Sequence, residues 1–381
     1  LLVIGLLALA CAEGRGRPDP AGLVYADPQA GDELGPVIEV EPTPCEEFCG
    51  ETFLTEALEP PNLYFVIDRS GSMGELVEGS SRTKLQTARA VIGELLGSIG
   101  HRVRYGGAVF PSFEAPEQCL AGTEFFEATL GAPPSCERKQ NTQLSAFLQR
   151  LGVYLPQGGT PTALTLEDVR PRLEALEGKT AVVLVTDGAP NCDVDGECEA
   201  GECSLNIEGA RINGNECNAS FNCCDPENGI ENANAYCVDD DGTEAAVRAL
   251  AKSGISTYVV GMPGAEPYED LLERLAKAGG EARGGDVAYY ATTDEDELRD
   301  ALYAIGTAFA LRCEIDLAEP PEDGAFVNVY FDGQLVPADA DDGWSWEGDT
   351  RIIVNGSACD DLRSGEVRDA RAVFGCETVV R

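Results

Sequence analysis

The sequence predicts an α/β fold: a doubly wound sheet with a cysteine-rich loop insertion, followed by a small C-terminal β module. Three observations predict it. Short apolar runs rich in β-branched residues, Leu63 to Ile67, Ala181 to Val185 and Ile255 to Val260, read as buried strands of a parallel sheet. Between them apolar residues recur at helical spacing, and strands that alternate with helices build a sheet covered on its faces. The alternation stops at residues 191–241, which hold seven of the 15 cysteines, and stops again at Cys313, where the pattern turns to period two.

Each element follows in order. Leu1 to Ala10 is an apolar run too short to span a bilayer and reads as the end of a signal peptide, with residues 1–11 as its extent. Residues 12–59, rich in Gly, Pro, Ala and acid, read as a disordered tether. The α/β domain occupies 60–312. Its first strand is followed by a helical stripe from Leu85 to Ile99, then a strand from Tyr105 to Phe110 and a stripe from Leu144 to Tyr154. The stripe Leu166, Val169, Leu173 and Leu176 contains Pro171, which should kink or restart its helix. After the insertion come a helix at Tyr268 to Ala278, a short strand at Val287 to Ala291 and a closing helix through Leu298, Leu302, Ile305 and Phe309. In the module at 313–381, Val327 to Phe331 alternates and Asp332-Gly333 signals a hairpin. Further strands fall at Leu335-Val336, at Trp344 and Trp346, at Arg351 to Val354 and at Ala372 to Phe374.

Composition narrows the function. With 67 acidic and 27 basic residues the net charge is −40, which disfavours nucleic acid and anionic lipid and favours divalent cations or basic partners. Fifteen cysteines without zinc-type spacing point to disulfides and an oxidising compartment. If Cys45 pairs with Cys49 and Cys119 with Cys136, the odd count in the insertion requires a bridge to Cys313, Cys359 or Cys376 in the tail. The acidic turns Asp193-x-Asp195-Gly196 and Asp239-Asp240-Asp241-Gly242 lack full calcium-loop spacing and read as solvated turns.

The chemistry gathers at three strand-to-loop junctions. Leu63 to Ile67 runs into Asp68-x-Ser70-x-Ser72, whose carboxylate and two hydroxyls can converge on one hard cation, with Gly71 expected to tighten the turn. Gly158-Gly159-Thr160 offers another hydroxyl before a helix, and Thr186-Asp187-Gly188 another carboxylate after a strand. In an open α/β sheet, loops at the carboxyl ends of the strands meet at the switch point.

Asp68-Arg69-Ser70-Gly71-Ser72-Met73, Thr160 and Val183 to Gly188 together resemble the von Willebrand factor A (vWA) domain and its metal-ion-dependent adhesion site, over roughly residues 60–311. The resemblance implies a Rossmann-like doubly wound fold. It also implies a metal site formed by Asp68, Ser70, Ser72, Thr160 and Asp187, with a position left for a partner's carboxylate. The cation expected is Mg²⁺, with Mn²⁺ and Ca²⁺ also admissible. Leu7-Ala8-Leu9-Ala10-Cys11 resembles a bacterial lipoprotein processing site, with Ala8 where that pattern prefers leucine, and implies lipidation at Cys11.

The expected function is that of an exported, lipid-anchored surface binding or adhesion protein of a bacterial envelope, such as an outer-membrane lipoprotein, or else a secreted one. Its partner would be a protein or other surface ligand offering a carboxylate, and membrane contact would run only through the lipid. Two alternatives are a structural envelope protein whose metal rigidifies a loop and a metal-dependent hydrolase. Catalysis is not expected, since the one histidine, His101, has no nucleophile motif beside it. The insertion follows Asp187 at once, which predicts a disulfide-stapled cap over the metal-bearing face.

Overall fold

The computed structural model describes residues 52–53, 60–114, 119–131, 141–192, 197–310, 313–317, 319–364, 367 and 370–380. Cys11, most of the tether, Cys45, Cys49, Cys136 and the Asp193–Gly196 turn lie outside them. Strand β1 (Thr52–Phe53) belongs to the C-terminal module; the central sheet starts with β2 (Asn62–Asp68). It continues through β3 (Arg104–Phe110), β4 (Thr123–Leu130), β5 (Thr180–Thr186), β8 (Ser256–Gly261) and β9 (Tyr290–Ala291). The spatial order is β4-β3-β2-β5-β8-β9, parallel throughout except for the antiparallel edge strand β4. Strand order reverses between β2 and β5, so the carboxyl ends of these two strands flank the switch-point crevice.

Period-two burial explains the two helical layers. Leu63, Phe65 and Ile67 of β2, with Val183 and Val185 of β5, face α1 (Lys84–Ile99), α2 (Thr142–Gly152) and α7 (Glu295–Ala310). Tyr64, Val66, Val182 and Leu184 face α3 (Thr162–Glu174), α5 (Asp240–Lys252) and α6 (Glu269–Ala278) on the other side. Every residue of β2 and β5 is buried. Each large apolar side chain so buried contributes roughly 1.5–3 kcal/mol, and this holds the turns that follow both strands in place. Thr83 caps α1 through a capping box with Gln86, which fixes the distance from the β2 turn to the helix.

Some expectations change. Helix α3 runs unbroken through Pro171: both Pro171 and Glu167, whose carbonyl loses its helical donor, are exposed, so solvent can serve that carbonyl. The predicted strand at Val287 to Ala291 shrinks to Tyr290–Ala291. Asp239, expected in a solvated turn, instead caps α5 by accepting from Gly242 N. Strand β4 has adjacent phenylalanines and no clean alternation, and it gave no sequence signal. Its bulged pairing with β3 needs Gly106, where a Cβ would lie 2.7 Å from Ala128 N.

The C-terminal residues form two small sheets around a shared core that includes Trp344 and Val329. One has the order β1-β15-β11-β12 and the other β10-β14-β13, with β10 (Glu314–Asp316), β11 (Val327–Phe331), β12 (Gln334–Val336), β13 (Trp344–Glu347), β14 (Arg351–Val354) and β15 (Ala370–Phe374). The β11–β12 hairpin turns at Asp332 and Gly333, with φ of 48° and 81°, as a two-residue Asp-Gly loop requires. Thr52–Phe53, in the stretch assigned to the tether, pairs antiparallel with β15. Helix α8 (Gly356–Ser364), tied by Cys313–Cys359, was not foreseen.

The insertion is a closed excursion. Asp239 N donates to Pro190 O and Cys192 N to Ala235 O, so its two ends meet. Within it lie α4 (Ser204–Ile207) and a hairpin of β6 (Arg211–Ile212) and β7 (Asn215–Glu216) around Asn213-Gly214. Cys198–Cys237, Cys203–Cys224 and Cys217–Cys223 staple it internally. The seventh cysteine, Cys192, pairs with Cys119 of the β3–β4 loop. The proposed Cys119–Cys136 pair and the bridge from insertion to tail are therefore both corrected. Cys119 reaches the insertion because the β3–β4 loop and the residues after β5 emerge at the same end of the sheet. Cys198, Cys224 and Cys237 cluster closely, but as cystines they offer no thiolate to a metal. No helix among the described residues is long and apolar enough to cross a membrane.

Candidate metal centre

Residues alternate in direction as β2 leaves the sheet. Asp68, Ser70 and Ser72 turn toward β5, while Arg69 turns the other way. Arg69 is fully buried; its guanidinium donates to the carbonyls of Pro111, Ser112 and Leu155, stapling the β2 turn to the loop after β3 and the loop before α3. A second staple comes from the backbone: Gly71 N donates to Gly158 O and Gln157 N to Arg69 O. Gly71 is not needed for its conformational freedom, because its φ is not left-handed and a Cβ there would meet Gly158 O at an ordinary 4.0 Å.

Five residues from the two strand ends, Asp68, Ser70, Ser72, Thr186 and Asp187, form one hydrogen-bonded set. Asp68 is 0% exposed; its Oδ1 accepts from Ser70 N at 2.7 Å and its Oδ2 from the Thr186 hydroxyl at 2.6 Å. Ser70 Oγ and Ser72 Oγ lie 3.1 Å apart, and Ser72 Oγ donates to Asp187 Oδ1 at 2.8 Å. Thr160 is buried on the adjoining loop, with its N–H donating to Asn191 Oδ1 and its carbonyl accepting from Asn191 N. Asn191 thus ties the Thr160 loop to the turn after Asp187. Gly159 makes that approach possible: a Cβ there would sit 2.9 Å from Asn191 Oδ1 and 3.1 Å from Cys192 Sγ.

Sequence reasoning missed three neighbours. Lys84 Nζ donates to Asp187 Oδ2 and to Glu75 Oε2, both at 2.8 Å. Its one available signal was position, since a lysine opening a helix opposes the helix dipole and calls for nearby carboxylates. Thr186 was read only as part of the strand-end motif. Glu208, the C-cap of α4 in the insertion, accepts from Tyr268 OH at 3.1 Å. A Cβ at Gly188 would lie 4.0 Å from both Glu208 Oε1 and Ser72 Oγ, which brings the insertion's carboxylate to the rim of the set.

The electrostatics fit a cation. Burial, reinforced by the Asp187 charge, pushes the Asp68 carboxyl up to about 7. Burial also raises Asp187, although Lys84 and Ser72 pull against it. Glu208 is raised by burial and by the charges of Asp187 and Glu75, against the Tyr268 hydrogen bond. Lys84 would be lowered by burial, but Asp187 and Glu75 together hold it above the usual lysine value. Asp187 meets the Lys84 ammonium, whereas Asp68 accepts from an amide and a hydroxyl, and the donors that the set offers an ion are all oxygens. A hard divalent ion suits that chemistry.

Six strands in this order, with Asp68-x-Ser70-x-Ser72 after the first of them and Asp187 after the fourth, decide the fold type. The domain is vWA-like.

No family model matches the chain. Among curated proteins it is similar to the uncharacterized protein YwmC of Bacillus subtilis, 29% identical over 153 residues, which is 38% of this chain and 62% of that protein. The match thus spans less than two thirds of the relative. Among solved structures, the vWA-like chain is similar to the vWF domain of the type V pili tip protein Mfa5 from Porphyromonas gingivalis. Identity there is 15%, covering 68% of this chain and 96% of that one, with a TM-score of 0.42. It is also similar to the pilus adhesin SpaC of Lactobacillus rhamnosus GG, at 15% identity over 84% of this chain and 40% of that one, with a TM-score of 0.45. These likenesses are loose, and the fold rests on the strand order itself.

Proposed function

We propose that this chain is an exported binding protein whose vWA-like domain holds a divalent cation, Mg²⁺ first and Mn²⁺ or Ca²⁺ as alternatives, through Asp68, Ser70, Ser72, Thr160 and Asp187. The bound cation would supply a Lewis-acidic contact for a carboxylate on a partner protein or other surface ligand. The observation that carries the reading is the hydrogen-bonded set Ser70–Ser72–Asp187 beside Asp68–Thr186, buried at the switch point. Export is supported by the cystines of the insertion and the module, since such bridges persist in oxidising compartments. A lipid at Cys11 would tether the domain to an envelope surface.

Binding is favoured over catalysis by position. His101 lies in the turn Gly100–Arg102, which precedes β3 at the end of the sheet opposite the carboxylates. Selectivity is assigned to the insertion, whose Glu208 stands at the rim and disfavours a partner with extra negative charge beside its carboxylate.

The test is a pull-down from envelope or matrix extracts with wild type and Asp187→Ala side by side, in Mg²⁺ and in chelator. Capture that needs both Mg²⁺ and Asp187 supports the reading, and capture that persists in chelator contradicts it. Because the ends of the insertion meet at Pro190 and Asp239, a deletion of residues 193–238, which keeps Asn191 against the Thr160 loop and keeps Cys192, should change what is captured while sparing metal affinity.

A further inference from the structure

We propose that Lys84 is a built-in competitor for the metal position and sets how much divalent cation the site requires. The inference rests on the metal-binding reading above and concerns a residue outside its ligand set. Lys84 opens α1, where the positive end of the helix dipole disfavours an ammonium, yet it is only 4% exposed. Three segments keep it there. Asp187 Oδ2 and Glu75 Oε2 each accept from Nζ at 2.8 Å. Gly264, at φ +104°, closes over the ammonium so tightly that a Cβ would lie 2.9 Å from Nζ. Only glycine fits that position.

The two acceptors differ in kind. The Asp187 side chain is fully buried, whereas Glu75 is 70% exposed. A divalent cation held by Asp187 would share one buried carboxylate with Lys84, and two cations on one carboxylate repel strongly where water is excluded. As the Asp187 charge is drawn to the metal, the hold on Lys84 weakens and Glu75 remains as its acceptor. Lys84 is therefore a positioning residue: it fills the charge deficit in the metal-free protein and raises the cation concentration needed to displace it. Such a device suits a site that meets divalent cations outside the cell and should be empty where they are scarce.

The experiment is calorimetric titration of the full chain with MgCl₂ and MnCl₂, with melting temperature as a second readout, for wild type, Lys84→Met and Glu75→Gln. Lys84→Met should bind at least about tenfold tighter, because the competing charge is gone. Glu75→Gln should bind several-fold weaker, because Lys84 loses its second acceptor. A folded Lys84→Met whose affinity equals or falls below wild type overturns the proposal. If Lys84→Met does not fold, unchanged or tighter binding by Glu75→Gln overturns it. Absence of binding in all three proteins overturns the metal reading itself, whereas binding by Lys84→Met alone upholds both.

Discussion

The Ser72 hydroxyl donates to Asp187 Oδ1 at 2.8 Å across 115 residues of sequence, and that bond joins the turn after β2 to the turn after β5. The junction depends on rigid strands behind it. Both strands are buried on two faces, so neither turn can shift without disturbing a helical layer.

Arg69 is expected to be the most sensitive residue of the β2 turn outside the donor set. Arg69→Ala leaves three loop carbonyls without their donor and should destabilise the domain by about 3 kcal/mol or more. Urea denaturation checks this, and Arg69→Lys should recover only part of the loss, since an ammonium cannot reproduce the planar fork.

Peptide mapping under non-reducing conditions should recover Cys119 linked to Cys192. Cys119→Ser should then lower stability by about 2–4 kcal/mol, an amount typical of a bridge that closes a long loop. Limited proteolysis should show faster cleavage at the base of the insertion.

Stability of the metal-free protein should fall as pH rises. The Asp68 carboxyl is raised in the folded state, to about 7, above its unfolded value. The stability tied to its protonation is therefore fully present below the unfolded pKa of about 3.9 and is lost as pH rises through about 7. Asp187 is shifted in the same direction. Melting temperatures in chelator should drop between pH 5 and pH 8, and added Mg²⁺ should reduce the drop by compensating both carboxylates.

Legibility in the sequence followed burial and locality. Strands β2 and β5 were readable because two-sided burial writes a continuous apolar run, and Asp68, Ser70, Ser72 and Asp187 were readable because they sit directly at the ends of those runs. Strand β4 was not, because an edge strand with a bulge needs no regular alternation. Arg69 lay inside the motif, but its role depends on carbonyls some 40 to 90 residues away, which carry no side-chain signature. The Cys119–Cys192 bridge was invisible for a related reason, since pairing follows which loops share an end of the sheet, and the nearest cysteine in sequence is a poor guide. Lys84 and Glu208 reach the site from a helix start and from the insertion, so only the assembled fold reveals them.

The central claim is that Asp68, Ser70, Ser72, Thr160 and Asp187 hold a divalent cation. Titration of the metal-stripped full chain with MgCl₂ and MnCl₂, with Asp187→Ala in parallel, tests it most directly. A single saturable site in wild type that disappears in a folded Asp187→Ala is the predicted result; binding that is absent from wild type, or equally strong in the variant, would contradict it.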